Sequence, residues 1–158
     1  MPRILALDPG EKRIGLAVSD EMGWTAQGLP TLNREGVRRD LDRLASVVNE
    51  YQVTRIIVGV PYNQYGELSA AGERAMALID RIAARCGIPV SPWDERLTTK
   101  MAERVLIDGG VSRAKRKLSR DRLAAVLILQ SYLDAQGRLP DRQGQTDTPT
   151  PAGEQASG

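Results

Sequence analysis

The sequence has 158 residues, enough for one domain with a real core, and its 41% of hydrophobic residues come in short runs broken by charge. No stretch reaches the roughly 18 apolar residues a membrane helix needs, and with no histidine and one cysteine the chain cannot build Ser-His or Cys-His nucleophile pairs, histidine-based zinc sites or an internal disulfide. The formal charge of +2 is uneven: from Pro140 on, Asp141, Asp147 and Glu154 face Arg142, a net −2, so the rest carries about +4, which suits a polyanionic partner.

Met1-Pro2-Arg3 leads directly into an apolar run without the basic, apolar and cleavage regions of a signal peptide. With Cys86 as the single thiol, a reducing cytoplasm is the expected home and no membrane partner is expected. RILALD (Arg3 to Asp8) reads as a central buried strand, and RIGLAVSD (Arg13 to Asp20) follows a turn on Pro9-Gly10. The run around Trp24 to Leu32 contains Gly28 and Pro30, which fits an edge strand with a bulge. Such short connections make these three runs an antiparallel meander.

Val37, Leu41, Leu44, Val48 and Tyr51 recur at helical spacing, and TRIIVGV (Thr54 to Val60) is a buried strand ended by Gly59 and Pro61. Ala75, Met76, Ile79, Ile82, Ala83 and Cys86 mark a second helix, stopped by Gly87, with the strand IPVSPW (Ile88 to Trp93) after it. Two more helices are expected, near Thr98 to Asp108 and near Arg120 to Ala135. The Pro/Gly/Ser/Thr/Gln-rich stretch 140–158 reads as a disordered tail, outside a domain of residues 1–139. This order predicts an α/β, ribonuclease H-like domain: a mixed five-stranded sheet, three antiparallel strands and then two parallel, with helices on both faces. That architecture hosts many functions, so function must be argued from sites.

Three sites stand out. In LALDPGEKRIG, Asp8 ends the first strand; Asp-Pro-Gly is also simple turn chemistry, and both readings stay open. The loop's D-x-G-x-x-x-x-G form resembles the phosphate hairpin of the actin and sugar-kinase ATPases, but those close two domains and this chain has room for one. Asp94-Glu95-Arg96-Leu97-Thr98-Thr99 follows the last strand, at the sheet edge where α/β proteins bind ligands. Thr98 as a helix N-cap would explain the threonine but not the three charges before it. The stretch from Arg113 to Arg122 holds six cations and Asp121, with Ser119 able to cap a helix starting at Arg120. A basic loop beside a carboxylate suits a phosphate track, although such a run can be a solvated face.

The fold would bring Asp8, Glu95 and Asp121 to one edge of the sheet. Carboxylates held that close repel unless divalent cations neutralise them. Two Mg²⁺ or Mn²⁺ ions about 4 Å apart would do so, and would activate water without histidine.

LALDPGEKRIGLAVSD, VGVPYNQYGELSAAG, DERLTT and RDRLAAVLILQSYL together resemble the YqgF family of RuvC/ribonuclease H-like nucleases, over about Arg3 to Gly137. The resemblance implies a bacterial cytoplasmic nuclease, described both as a Holliday-junction resolvase and as a nuclease maturing the 5′ end of pre-16S ribosomal RNA. It also implies that the metal-binding, catalytic acids are Asp8, Glu95 and Asp121. RuvC resolvases carry a further acid one turn along the last helix, where this chain has Ala124 and Ala125.

In the loop after Val60, Tyr62 and Tyr65 could stack on unpaired bases, at about 1–3 kcal/mol per base, or could pack the loop. Expected nucleic-acid contacts are Lys12, Tyr62, Asn63, Arg96, Thr98, Arg113, Lys115, Arg116, Lys117 and Arg120. With no base-reading motif, shape and single-stranded character should decide the substrate, and with what the resemblance implies, single-stranded pre-rRNA is expected ahead of branched DNA. A homodimer is compatible with the sequence, and a non-catalytic RNA-binding assembly factor is the alternative from another class.

Overall fold

A computed structural model describes residues 3–97 and 113–136, with side chains described for 3–96 and 123–136. Strand β1 (Arg3–Pro9) turns at Gly10 into β2 (Arg13–Ser19), and β3 (Ala26–Asn33) completes the meander. Helix α1 (Val37–Glu50), strand β4 (Val53–Val60), helix α2 (Ala70–Cys86) and strand β5 (Val90–Asp94) follow. A 3₁₀ turn (Glu95–Leu97) continues β5, and helix α3 spans Arg113–Ala135. The expected helix near Thr98 to Asp108 and the tail 140–158 lie outside the described residues.

The sheet order is β3-β2-β1-β4-β5, so β1 is central. Strands β1, β2 and β3 pair antiparallel, and β4 and β5 add parallel to β1, as helical crossovers require. The expected edge bulge is present: Ile14 pairs with Leu32 but Leu16 with Leu29, so Pro30 and Thr31 together oppose Gly15.

Alternation along the strands supplies both faces of the core. Leu5, Leu7, Val18, Ile56, Val58 and Val60 pack under α1 and α2, against Leu44, Leu78, Ile79 and Ile82. On the other face Ala6, Ala17 and Ile57 meet Ala125, Ile128, Leu129 and Leu133 of α3. Two alanines at those strand positions leave room for a helix to lie close. Ser69 caps α2 by accepting from the Gly72 amide at 3.0 Å, and Gly87 ends it at φ 71°, a backbone region that favours glycine.

The final helix differs from expectation, because it begins at Arg113 rather than Arg120. The basic run is therefore helical, not a loop, and Ser119 sits within the helix instead of capping it. Ala114, Leu118 and the Lys and Arg residues are good helix formers, with no Gly or Pro to stop propagation toward the N-terminus. Strand β4 ends at Val60, as TRIIVGV predicts, with Gly59 inside it.

Candidate carboxylate site

Asp8 is the eighth residue of a chain whose first strand becomes the middle of the sheet, so its backbone is held from both sides. It stands opposite Gly15 of β2 and one step beyond the Leu7–Val58 pair, beside Gly59 of β4. Alternation with Leu5 and Leu7 turns Asp8 to the α3 face, together with Gly59. Both neighbours on that face are glycines, which leaves the carboxylate an open trough.

Glu95 reaches this trough from the far side. Gly59 pairs with Trp93 and Val60 with Asp94, so Glu95 projects just past the end of β5. A Cβ on Gly59 would lie 2.9 Å from Glu95 Cγ, 3.0 Å from its Oε2 and 2.6 Å from Ile128 Cδ1. Glycine is thus required by close approach: the Glu95 side chain crosses β4 where a side chain would otherwise stand. It meets Asp8 in a carboxyl–carboxyl hydrogen bond. Burial first, and then the charge of Asp8, push Glu95 up to about 8, well above its ordinary 4.5. Without a metal, Glu95 therefore keeps its proton near neutral pH.

The turn that presents Glu95 is braced. Arg96 donates from Nε to both Asp94 oxygens, at 3.1 and 3.0 Å, and from NH2 to Oδ2 at 2.7 Å. That fork holds the Asp94 carboxyl below the usual carboxylate range. Arg96 NH1 also donates to the Asn63 carbonyl at 3.2 Å, and its guanidinium lies 5.4 Å from the Tyr62 ring centroid. Asn63 in turn organises its own loop, with Oδ1 accepting from the Tyr65 and Glu67 amides at 2.8 and 3.0 Å. Of the expected nucleic-acid contacts, then, Arg96, Tyr62 and Asn63 form one connected brace at the site's rim. Tyr65, 76% exposed, is the aromatic of that loop presented to solvent. Lys12 is exposed in the β1–β2 turn, with its carbonyl accepting from the Arg34 amide at 2.9 Å.

Helix α3 is docked in one direction by its C-terminal half. Gln130 donates to the Trp24 carbonyl and accepts from the Ala26 amide, both at 3.2 Å, and Trp93 Nε1 donates to Ser131 Oγ at 3.3 Å. Because Ser131 meets Trp93 and Ile128 lies against Gly59 and Glu95, α3 runs antiparallel to β5. Asp121 is four residues before buried Ala125 and seven before Ile128, on the same helical stripe. At 1.5 Å per residue, its backbone lies about 10 Å beyond Ile128 toward the edge that carries Asp8 and Glu95. The side chains of Asp121, Arg113, Lys115, Arg116, Lys117 and Arg120 are not among those described, and Thr98 lies outside the described residues. Among the described residues no cluster of three potential metal ligands occurs; the described part of the site is the Asp8–Glu95 pair.

Two features had escaped sequence reasoning. Gly59 was legible only as a strand end, although a glycine within a strand pattern can mark close approach. Asp40, fully buried, accepts from the Glu35 amide at 3.0 Å and Arg34 Nε at 3.2 Å. Arg34 also donates to the Gly10 carbonyl at 3.0 Å, which ties the turn after Asp8 to α1. An acid in the first turn of a helix looks like ordinary dipole chemistry, so no sequence signal marked that anchor.

Comparison with known proteins finds relatives along most of the chain. A family profile described as "RuvX: Holliday junction resolvase" matches residues 2–135. A protein of Desulforamulus reducens is 47% identical over 133 residues, covering 84% of this chain and 97% of its own length. Another, from Thermoanaerobacter pseudethanolicus, is 50% identical over 135 residues, covering 85% and 97%. Both carry the name "Putative pre-16S rRNA nuclease". Among solved structures, Thermus thermophilus RuvC in complex with a Holliday junction substrate aligns at a TM-score of 0.53 and 19% identity, over 85% of this chain and 97% of that one, a likeness of fold.

Proposed function

Because the chain belongs to the RuvX (YqgF) family, we propose that it is a divalent-metal-dependent nuclease that processes the 5′ end of pre-16S ribosomal RNA. The observation that carries the proposal is the Asp8–Glu95 pair, two carboxyls forced together across Gly59 at the edge of the sheet. The donor set fits Mg²⁺ or Mn²⁺: hard oxygens, no imidazole anywhere in the chain, and mutual repulsion that a cation would relieve. Asp8, Glu95 and Asp121 would hold a two-metal site. What such cations supply is activated water and charge stabilisation on the leaving 3′-oxygen.

The chain's own residues do the rest. Asp8 is rigid because β1 is paired on both sides, and Glu95 is aimed by the Asp94–Arg96 fork. Glu95, at about 8 without metal, can also take up or release a proton near neutral pH. The brace of Arg96, Tyr62 and Asn63 forms the rim past which a single strand would pass, with Tyr65 exposed for stacking. The basic first turns of α3, with Arg113, Lys115, Arg116, Lys117 and Arg120, would contact phosphates.

The family's description supports a second reading, resolution of four-way DNA junctions, which needs two sites acting on symmetric strands. The test incubates end-labelled pre-16S-type RNA, unrelated single-stranded RNA and a four-way DNA junction with the protein, in Mn²⁺ and in chelator. Faster cutting of RNA in Mn²⁺ is expected. Paired symmetric incisions in the junction, faster than any RNA cut, would promote the resolvase. Tight RNA binding with no cut in any substrate would identify a non-catalytic assembly factor.

A further inference from the structure

On the opposite face of the sheet, directly beyond Asp8, a groove of about 540 Å³ runs between Pro9–Gly10, the start of α1 and the side of α2. Its floor is apolar, with Val37, Ala75 and Leu78, and its walls carry Arg34, Arg74 and Arg81 against one acid, Glu11. Arg34 is committed to Asp40 and the Gly10 carbonyl. Arg74 and Arg81 make no ion pair among the described residues.

The sequence of α2 explains why. Positions three and four residues away from Arg74 are Ala70, Ala71, Ala77 and Leu78; those around Arg81 are Ala77, Leu78, Ala84 and Arg85. No acid stands where a helical ion pair could form. Nearby, Arg39 and Arg43 pair with Glu35, and Arg85 with Asp42. Two arginines one above the other, about 10 Å apart along α2, thus leave a net positive, apolar-floored channel. Pro9 and Gly10, which line it, follow Asp8 directly, so a strand leaving the carboxylate pair need only cross that edge to reach it.

We propose that this groove is a second nucleic-acid subsite, which takes the sugar–phosphate backbone of the substrate strand beyond the point of cleavage. Arg74 and Arg81 contact phosphates, and the apolar floor accepts the sugar and base faces between them. The proposal rests on a nucleic-acid substrate, and the experiment separates its failure from failure of that reading.

Fluorescence anisotropy is measured in EDTA with fluorescein-labelled single-stranded RNA in a short form, reaching only the carboxylate site, and a long form. The proteins are the wild type, Arg74→Ala/Arg81→Ala, Arg74→Glu and Arg85→Ala; the last alters the far end of α2, outside the groove. Thermal unfolding of each checks the fold, which exposed substitutions should leave intact. The double variant should bind the long RNA about tenfold more weakly at low salt, with the slope of log K against log[salt] smaller by about 1.4, two contacts at roughly 0.7 each. Arg74→Glu should weaken it too, while short-RNA binding and Arg85→Ala match the wild type. Wild-type binding of long RNA with an unchanged slope in the double variant would overturn the groove alone. A wild type that binds neither RNA would overturn the groove and the nucleic-acid reading together.

Discussion

Replacing Gly59 with Ala tests whether close approach, and not strand geometry alone, requires glycine here. An ordinary Gly→Ala change at a compatible strand position stabilises by about 0.4–1 kcal/mol through the unfolded chain. Here the new Cβ would sit 2.6 Å from Ile128 Cδ1, about 1 Å inside the usual carbon–carbon contact of roughly 3.5 Å or more. Overpacking of that size costs about 1–3 kcal/mol and so outweighs the gain. The same Cβ, 2.9 Å from Glu95 Cγ, must also push the carboxylate away from Asp8. A displacement near 1 Å at a catalytic group can cost about 100-fold in rate. The assay pairs urea denaturation with Mn²⁺-dependent cleavage, for Gly59→Ala, Ile128→Val and the double variant. Ile128→Val alone should cost about 0.5–1.5 kcal/mol. In the double variant the methyl that clashes is gone, so stability should return to the Ile128→Val level, while cleavage stays low because Glu95 is still displaced. A Gly59→Ala protein within about 0.5 kcal/mol of wild type and fully active would refute the close-approach argument.

The remaining expectations concern charge. Without metal, Glu95 holds its proton up to about pH 8 when folded and releases it near 4.5 when unfolded, so the folded chain binds more protons in that window. Its contribution is fully present below about pH 4.5 and lost as pH rises through 8, at most about 1.4 kcal/mol per pH unit and less with solvent screening. Urea midpoints in EDTA at about pH 5 and 8.5 should reveal this decline in wild type and not in Glu95→Gln; equal declines in both would place the proton elsewhere. Arg96→Lys keeps the charge but loses the fork to Asp94, so stability should fall by no more than about 1 kcal/mol while limited proteolysis within Tyr62–Gly66 accelerates; unchanged proteolysis would mean the brace does not hold that loop. Replacing Lys115, Arg116 and Lys117 with Ala should lower the salt slope of RNA binding by roughly 0.7 per lost contact, and an unchanged slope would make that turn of α3 a solvated face.

Much of this was readable from residues alone, for identifiable reasons. Strand periodicity in RILALD and RIGLAVSD, with Pro9-Gly10 between, is a local signal, and the local signals of a meander followed by helix–strand pairs determine which strands are neighbours. Topology in turn brings Asp8 and Glu95 to one edge, so that pairing was legible although 87 positions separate the residues. Helix onset was not: the residues from Arg113 to Leu118 propagate a helix as readily as they flank one, and Ser119 mimicked a cap. The partners of Arg96 at Asn63 and Tyr62 come from a loop some thirty residues upstream, which no local pattern announces. Arg74 and Arg81 carry no local signal for a related reason. Their meaning lies in the acids absent around them and in a groove formed by other elements.

Whether three acids form one metal-dependent phosphodiesterase site is decided most directly with end-labelled pre-16S-type RNA. Initial cleavage rates are measured across a Mn²⁺ titration for the wild type and for Asp8→Asn, Glu95→Gln and Asp121→Asn, each checked for an intact thermal unfolding transition. A three-acid metal site requires saturable Mn²⁺ dependence in the wild type, no cleavage in chelator, and losses of at least about 100-fold in all three folded variants. Full cleavage in chelator, or a folded Asp121→Asn protein as active as the wild type, would contradict it.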